Sequence, residues 1–149
     1  MTNRAVELIK RFEGCSLAAY PDVGGIWTIG WGHTPAHEGQ VITRAKADAW
    51  LESDLQSAAS YVQAYVKVPM TPAMFDALTS FVFNVGSGAF FKSTLLKRLN
   101  EGNYFDVPAE MLRWRRAGGR VLLGLLRRRI AEAALFLEDG LPPKDVMVA

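Results

Sequence analysis

Glu13-Gly14-Cys15-Ser16-Leu17-Ala18-Ala19-Tyr20-Pro21-Asp22-Val23-Gly24-Gly25-Ile26-Trp27-Thr28-Ile29-Gly30-Trp31-Gly32-His33-Thr34 is where a helical pattern gives way to an extended one. Pro21 and the glycines at 24, 25, 30 and 32 break any helical period. Ile26-Trp27-Thr28-Ile29 is β-branched and aromatic, so it reads as a strand. Val23-Gly24-Gly25 supplies a hairpin turn, because glycine tolerates positive φ. Val41-Ile42 adds a third short strand, so residues 16–42 read as a small antiparallel sheet with long loops.

Upstream, Ala5, Leu8, Ile9 and Phe12 fall at i, i+3, i+4 and i+7, a short amphipathic helix with Thr2 or Asn3 as its cap. Gly14 stops it, which puts Glu13 in its last turn. Downstream, Thr43 is a good N-cap. Ala47, Trp50, Leu51, Leu55, Ala58, Val62 and Val66 keep a helical period after it. That helix would be ~35 Å long, enough to bridge two lobes. Val68-Pro69 ends it, and Thr71-Pro72 caps and starts the next helix. Phe75, Leu78, Phe81, Val82 and Val85 give the latter a broad apolar face, as expected of the buried centre of a second lobe, with Gly86-Ser87-Gly88 closing it. Shorter helices are predicted near Ser93–Glu101 and Asp106–Trp114, then a Gly118-Gly119 break, a last helix over Leu122–Leu137, and a loose tail. The fold class is therefore α+β in one domain. A β-containing lobe spans about 12–42 and a connecting helix about 43–66. A helical lobe spans about 67–149 and takes in the N-terminal helix.

Composition sets bounds on function. The 149 residues are 50% hydrophobic, enough for a sizeable core, and only 21% charged, which argues against disorder. The net charge is +2, but Met111 to Ile130 holds seven arginines and no acidic residue. Such a segment faces a polyanion or is a solvated helix face. The lone Cys15 excludes an intrachain disulfide and a multi-cysteine metal site, and reads as a partly buried filler. No cofactor or metal is called for. The first residues become charged too early for a signal peptide, and no apolar run of ~18 residues predicts a membrane span.

Glycoside cleavage uses two carboxyl groups, one protonating the leaving oxygen and one activating water or attacking the sugar. Glu13 suits the acid. It sits at a helix C-terminus, whose partial negative charge disfavours a carboxylate, and Phe12, Trp27 and Ile29 are apolar neighbours. Asp22 suits the base, at a turn where loop amides and water keep a carboxylate ionised. Thr28, on the strand opposite, has a hydroxyl to help hold the water. Each has a plainer role open to it: a solvated surface Glu, a turn-forming Asp, a strand Thr present for β-propensity.

The stretch from Glu13 to Thr34 resembles the phage lysozyme or endolysin family, glycoside hydrolase family 24. That family carries Glu, eight residues, Asp, five residues, Thr, and Glu13, Asp22 and Thr28 match each position. Two further matches run through Phe75-Asp76-Ala77-Leu78 to Phe81-Val82-Phe83-Asn84-Val85-Gly86, and from Leu112-Arg113-Trp114 through Ala117-Gly118-Gly119 and Gly124-Leu125 to Arg127-Arg128-Arg129. The resemblance implies a lysozyme-like fold with the glycan between two lobes. It implies a muramidase cutting the β-1,4 bond between N-acetylmuramic acid and N-acetylglucosamine. Glu13 would be the acid and Asp22 the base, with Thr28 assisting. Asn84 is expected at the sugar, with Phe83 and Trp114 as further substrate-binding residues, although Asn84 also suits a helix cap and Trp114 a core. His33 is assigned a structural hydrogen bond. One of Arg127, Arg128 and Arg129 is expected to reach Glu13. Leu123 stands where many relatives have proline, which predicts a looser entry to the last helix, and Trp31 replaces a residue often smaller or a tyrosine, which predicts a reshaped cleft mouth. Many relatives also carry an N-terminal membrane-targeting segment that is not seen in this sequence.

The Asp22–Thr28 pair favours inversion. It disfavours a lytic transglycosylase, which needs no water-activating pair; a basic wall- or membrane-binding protein without catalysis is the alternative from another class. The expected partner is peptidoglycan, not nucleic acid. The expected biology is a monomeric phage endolysin made in the host cytoplasm and released to the wall by a holin.

Overall fold

The computed structural model describes residues 3–143. The capping candidates Thr2 and the Asn3 side chain, and the tail from 144, lie outside the described residues. Helix α1 (Asn3–Glu13) ends on Glu13, as the Gly14 stop predicts. Strands β1 (Ser16–Pro21) and β2 (Trp27–Gly30) pair antiparallel, with Tyr20 opposite Thr28 and Pro21 opposite Trp27. The register shifts between Ser16 and Tyr20. The third strand expected at Val41-Ile42 is reduced to one bridge, Ala18 to Val41, backed by the Ile42 amide donating to the Leu17 carbonyl. The glycine- and proline-rich loop before it leaves too few residues alongside β1 for a ladder.

Helix α2 (Arg44–Tyr65) starts where the Thr43 hydroxyl accepts from the Lys46 amide. Helix α3 (Pro72–Val85) starts where Thr71 accepts from Met74. Both caps satisfy amides that a helix start leaves unpaired. The apolar interior falls into two clusters. Ile9, Trp31, Ala47, Leu51 and Leu55 form the smaller one. The larger centres on α3 through Leu78 and Phe81, and includes Ala58 and Val62 of α2. One helix thus supplies side chains to both.

Gly86-Ser87-Gly88 does not simply close α3. Gly86 caps it, and Ser87 begins a further short helix, α4 (Ser87–Phe91). Ser93 then caps α5 (Thr94–Asn100), and a 3-10 turn at Tyr104–Asp106 leads into α6 (Val107–Leu112). Gly118-Gly119 is likewise more than a break: it is the turn of a second hairpin, β3 (Arg116–Ala117) with β4 (Arg120–Val121). Both glycines have positive φ, 57° and 77°, the conformation that a two-residue hairpin turn requires. Helix α7 (Leu123–Leu137) packs against α3 and α6. Asp139, just past its end, accepts from the Ala73 amide at the start of α3 and from both terminal nitrogens of Arg4 on α1.

Candidate active site

Glu13, Asp22, Thr28, Phe83, Asn84 and Trp114 all line one groove of about 770 Å³, although they come from four separate regions of the chain. Its walls are the end of α1, the first hairpin, the end of α3, and the segment carrying Trp114, Arg116 and Leu122. A shallower groove of about 410 Å³, lined by Asp54, Ser57 and Tyr61, shares Gly32, Thr34 and Phe83 with it.

Glu13 is held from below. Arg128 on α7 donates from Nη1 to its Oε1 at 2.5 Å, which settles which of the three arginines reaches it. Arg128 is buried, and its side chain also faces the Ser80 carbonyl and the Glu132 carboxylate. Arg129 is buried beside it and donates to the Asn84 Oδ1. Asn84, expected at the sugar, is therefore also fixed by an arginine. Gly32 faces Glu13 directly: a Cβ there would lie 2.3 Å from Oε2, so any larger residue would have to displace this carboxyl. Of the three apolar neighbours expected, Phe12 lines the groove, whereas Trp27 does not and Ile29 is fully buried.

Asp22 is held locally. Its Oδ1 accepts from the amides of Gly24, at 2.9 Å, and Ile26, at 2.8 Å. The turn that positions the carboxylate is thus folded around it. Thr28 is buried, and its hydroxyl donates to the Ile26 carbonyl at 2.9 Å, which leaves its lone pairs to accept.

Tyr20 escaped the sequence reading. It lines the same groove as Glu13 and Asp22; burial pushes its phenol up, and those two carboxylates push it further. The signal was present: Tyr20 and Asp22 are two apart, on one face of the hairpin. Gly32 was read only as a breaker.

Other assignments resolve plainly. His33 bonds Asp54 through Nδ1 at 2.7 Å and stacks on Trp50, the structural role assigned to it. Trp31 does not shape the groove mouth. It is buried in the smaller cluster, bonds Asp48 through Nε1, and has Lys10 and Arg44 over its ring. Trp114 is both wall and packing partner, edge-on to Phe81. Leu123 is exposed at the first position of α7. Cys15 packs partly buried against the smaller cluster. The arginine segment divides: Arg128 and Arg129 are interior, Arg113 pairs with Glu110, and Arg116 lines the groove. Among the described residues no group of His, Cys, Asp and Glu is arranged to hold a metal ion, and no helix is long and apolar enough to cross a membrane.

Residues 10–132 match the Phage lysozyme family. The chain is 44% identical to the endolysin of Acyrthosiphon pisum secondary endosymbiont phage 1 over 141 residues, 91% of this chain and 97% of that protein. It is 39% identical to the endolysin of Salmonella phage P22 over 143 residues, 92% of this chain and 97% of that one. Among solved structures, the muramidase domain of SpmX from Asticaccaulis excentricus superposes with a TM-score of 0.81 at 42% identity, over 91% of this chain and 96% of that domain.

Proposed function

The chain belongs to the phage lysozyme family and is a glycoside hydrolase of lysozyme-like fold, and on that footing we propose that it is an endolysin cutting the β-1,4 bond between N-acetylmuramic acid and N-acetylglucosamine in peptidoglycan. The observation that carries the proposal is the single groove lined by Glu13, Asp22 and Thr28. Glu13 gives its proton to the glycosidic oxygen as the bond breaks. Asp22 takes a proton from water, whose oxygen attacks the anomeric carbon from the opposite face. Because Oδ1 of Asp22 is committed to two amides, Oδ2 receives the water. Because Thr28 donates its own hydrogen to Ile26, it accepts the second hydrogen of that water. Both hydrogens are then held, and the free lone pair is left to attack. A held water of this kind gives an inverted product.

Asn84, Phe83 and Trp114 contact the sugars along the same groove. The β-containing lobe is residues 12–42 and the connector is residues 43–66. Residues 67–143 with α1 form the helical lobe. The protein works as a monomer, without a cofactor, on wall reached from the host cytoplasm through a holin.

The test is digestion of purified peptidoglycan by wild type and Glu13→Gln, with mass spectrometry and NMR of the products. Wild type should release reducing muramic ends, first formed as the α-anomer. Glu13→Gln should lose about 10²-fold or more, the usual contribution of acid catalysis. Anhydro-muramic ends would instead mean a transglycosylase. Lysis that survives Glu13→Gln would mean a non-catalytic basic protein.

A further inference from the structure

Glu132 has no part in the scheme above, yet it is fully buried at the middle of α7. Its Oε2 accepts from the Ser80 hydroxyl at 2.6 Å and faces Arg128 Nε at 3.4 Å. Its Oε1 lies 3.0 Å from Arg129 Nε. Placing a carboxylate there is costly, and apolar residues in place of a buried ion cluster are often no less stable. Stability is therefore a poor reason for it to be an acid.

The groove supplies a better reason. Arg128 joins the two carboxyl groups, with Nη1 on Glu13 and Nε on Glu132. A proton donor must hold its proton when the glycosidic oxygen arrives. A guanidinium at hydrogen-bond distance favours the opposite, ionised state. A second carboxylate on the far edge of the same guanidinium restores the balance, and inside a protein this charge is poorly screened. With Glu13 protonated, two arginines face one negative charge; without Glu132 they face none.

We propose that Glu132 is a positioning residue for the reaction: it fixes Arg128 beneath Glu13 and offsets its charge, so that Glu13 is held in place without being stripped of its proton. The proposal rests on Glu13 being the proton donor. Arg128 from α7 contacts Glu13 and Arg129 feels its charge, while Tyr20 and Asp22 from the first hairpin and Arg116 share its groove. Those around Glu132 are Arg128 and Arg129 on its own helix and Ser80 on α3, whose buried Asp76 lies one turn away. From α6 the acidic residue is Glu110, which is paired with Arg113. Burial pushes the Glu132 carboxyl above its ordinary range, and both arginines and Ser80 offset this only in part. Burial lowers Arg129 to about 10, so it still carries its charge at neutral pH.

Glu132→Gln keeps the shape and can still accept from Ser80. Two readouts apply: the pH profile of kcat on soluble peptidoglycan fragments, and the carbon-13 titration of the Glu13 side-chain carboxyl. The high-pH limb should move down by about one pH unit with KM little changed, and the carboxyl resonance should titrate at lower pH than in wild type. Glu132→Asp should restore part of both shifts. If Glu132→Gln does not fold, Ser80→Ala removes only one donor to the Glu132 carboxylate and should move both readouts the same way, by less. A lower Tm with both readouts unmoved would overturn the proposal and leave Glu132 a structural counter-ion. A shifted resonance with an unshifted limb would overturn the assignment of Glu13 as donor, and the role of Glu132 in the reaction with it.

Discussion

The two faces of the groove are built in different ways. On the Asp22 side, the carboxylate is held by amides two and four residues further along, within one turn. On the Glu13 side, the carboxyl is held by Arg128, 115 positions away, which in turn rests on Ser80 of α3 and Glu132 of α7. The first side is local, exposed and made of backbone bonds. The second is long-range, buried and ionic. A local turn reforms whatever happens elsewhere, so substitutions there should read out as chemistry alone. A buried ionic assembly couples position to stability, so substitutions there should read out as both.

The sharpest break in this contrast is Asp22→Asn. The amide oxygen can still accept from Gly24 and Ile26, so the turn should survive. Loss of the base should lower kcat by about 10²–10⁴-fold, with a change in stability within about 0.5 kcal/mol, checked by kinetics and thermal melts. A Tm loss of many degrees would show that the Asp22 side is not local. On the other side, Arg128→Met removes one partner of a buried ionic assembly and should cost about 3 kcal/mol or more. At this size that is a drop in Tm of roughly 10 °C, readable by calorimetry. Gly32→Ala should be milder in stability but costly in rate. Its Cβ would meet Glu13 Oε2 at 2.3 Å and displace the carboxyl, and a misplacement of about 1 Å lowers kcat by roughly 10²-fold. A variant with wild-type kcat would show that Glu13 has room to move.

The smallest effect is expected where Asp139 ties the start of α1, at the end away from Glu13, to the start of α3. The hydrogen bond from Arg4 holds the Asp139 carboxyl below its ordinary value of 3.8, and the Ala73 amide adds to this. A carboxyl lowered in the fold contributes stability above its unfolded value and loses it as pH falls through the folded one. Wild type should therefore melt higher than Asp139→Asn at neutral pH, and the gap should close below about pH 3.8. A gap independent of pH would mean that this tie works by shape and not by charge.

The local side was legible in the sequence and the long-range side was not, for one physical reason. Pro21, Gly24 and Gly25 fix the hairpin through their own backbone preferences, so Asp22 could be placed at its turn and Thr28 on the strand that returns from it, where Thr28 pairs with Tyr20. Glu13 could be put at a helix end by the glycine after it. Which of Arg127, Arg128 and Arg129 turns inward depends on how α7 rolls against α3. Successive residues point about 100° apart, so a run of three arginines spans about 200° of the helix circumference. Glu132 was unreadable for the same reason, since a charge on a helix reads as surface until its neighbours are known. The short elements escaped differently. Helix α4 has five residues and strands β3 and β4 two each, too few for any period. Trp31 was placed at the groove mouth because it departs from the residue many relatives carry there, whereas the ring turns back against α2.

Arg4 and Asp139 stand 135 positions apart, which makes the order of synthesis matter. The helix bearing Glu13 leaves the ribosome long before its anchors, Arg128 and Asp139. A nascent chain halted before α7 carries every residue of the Asp22 hairpin and still has no seat for its acid. Assembly of the site therefore waits on α7, whatever else of the groove has already formed.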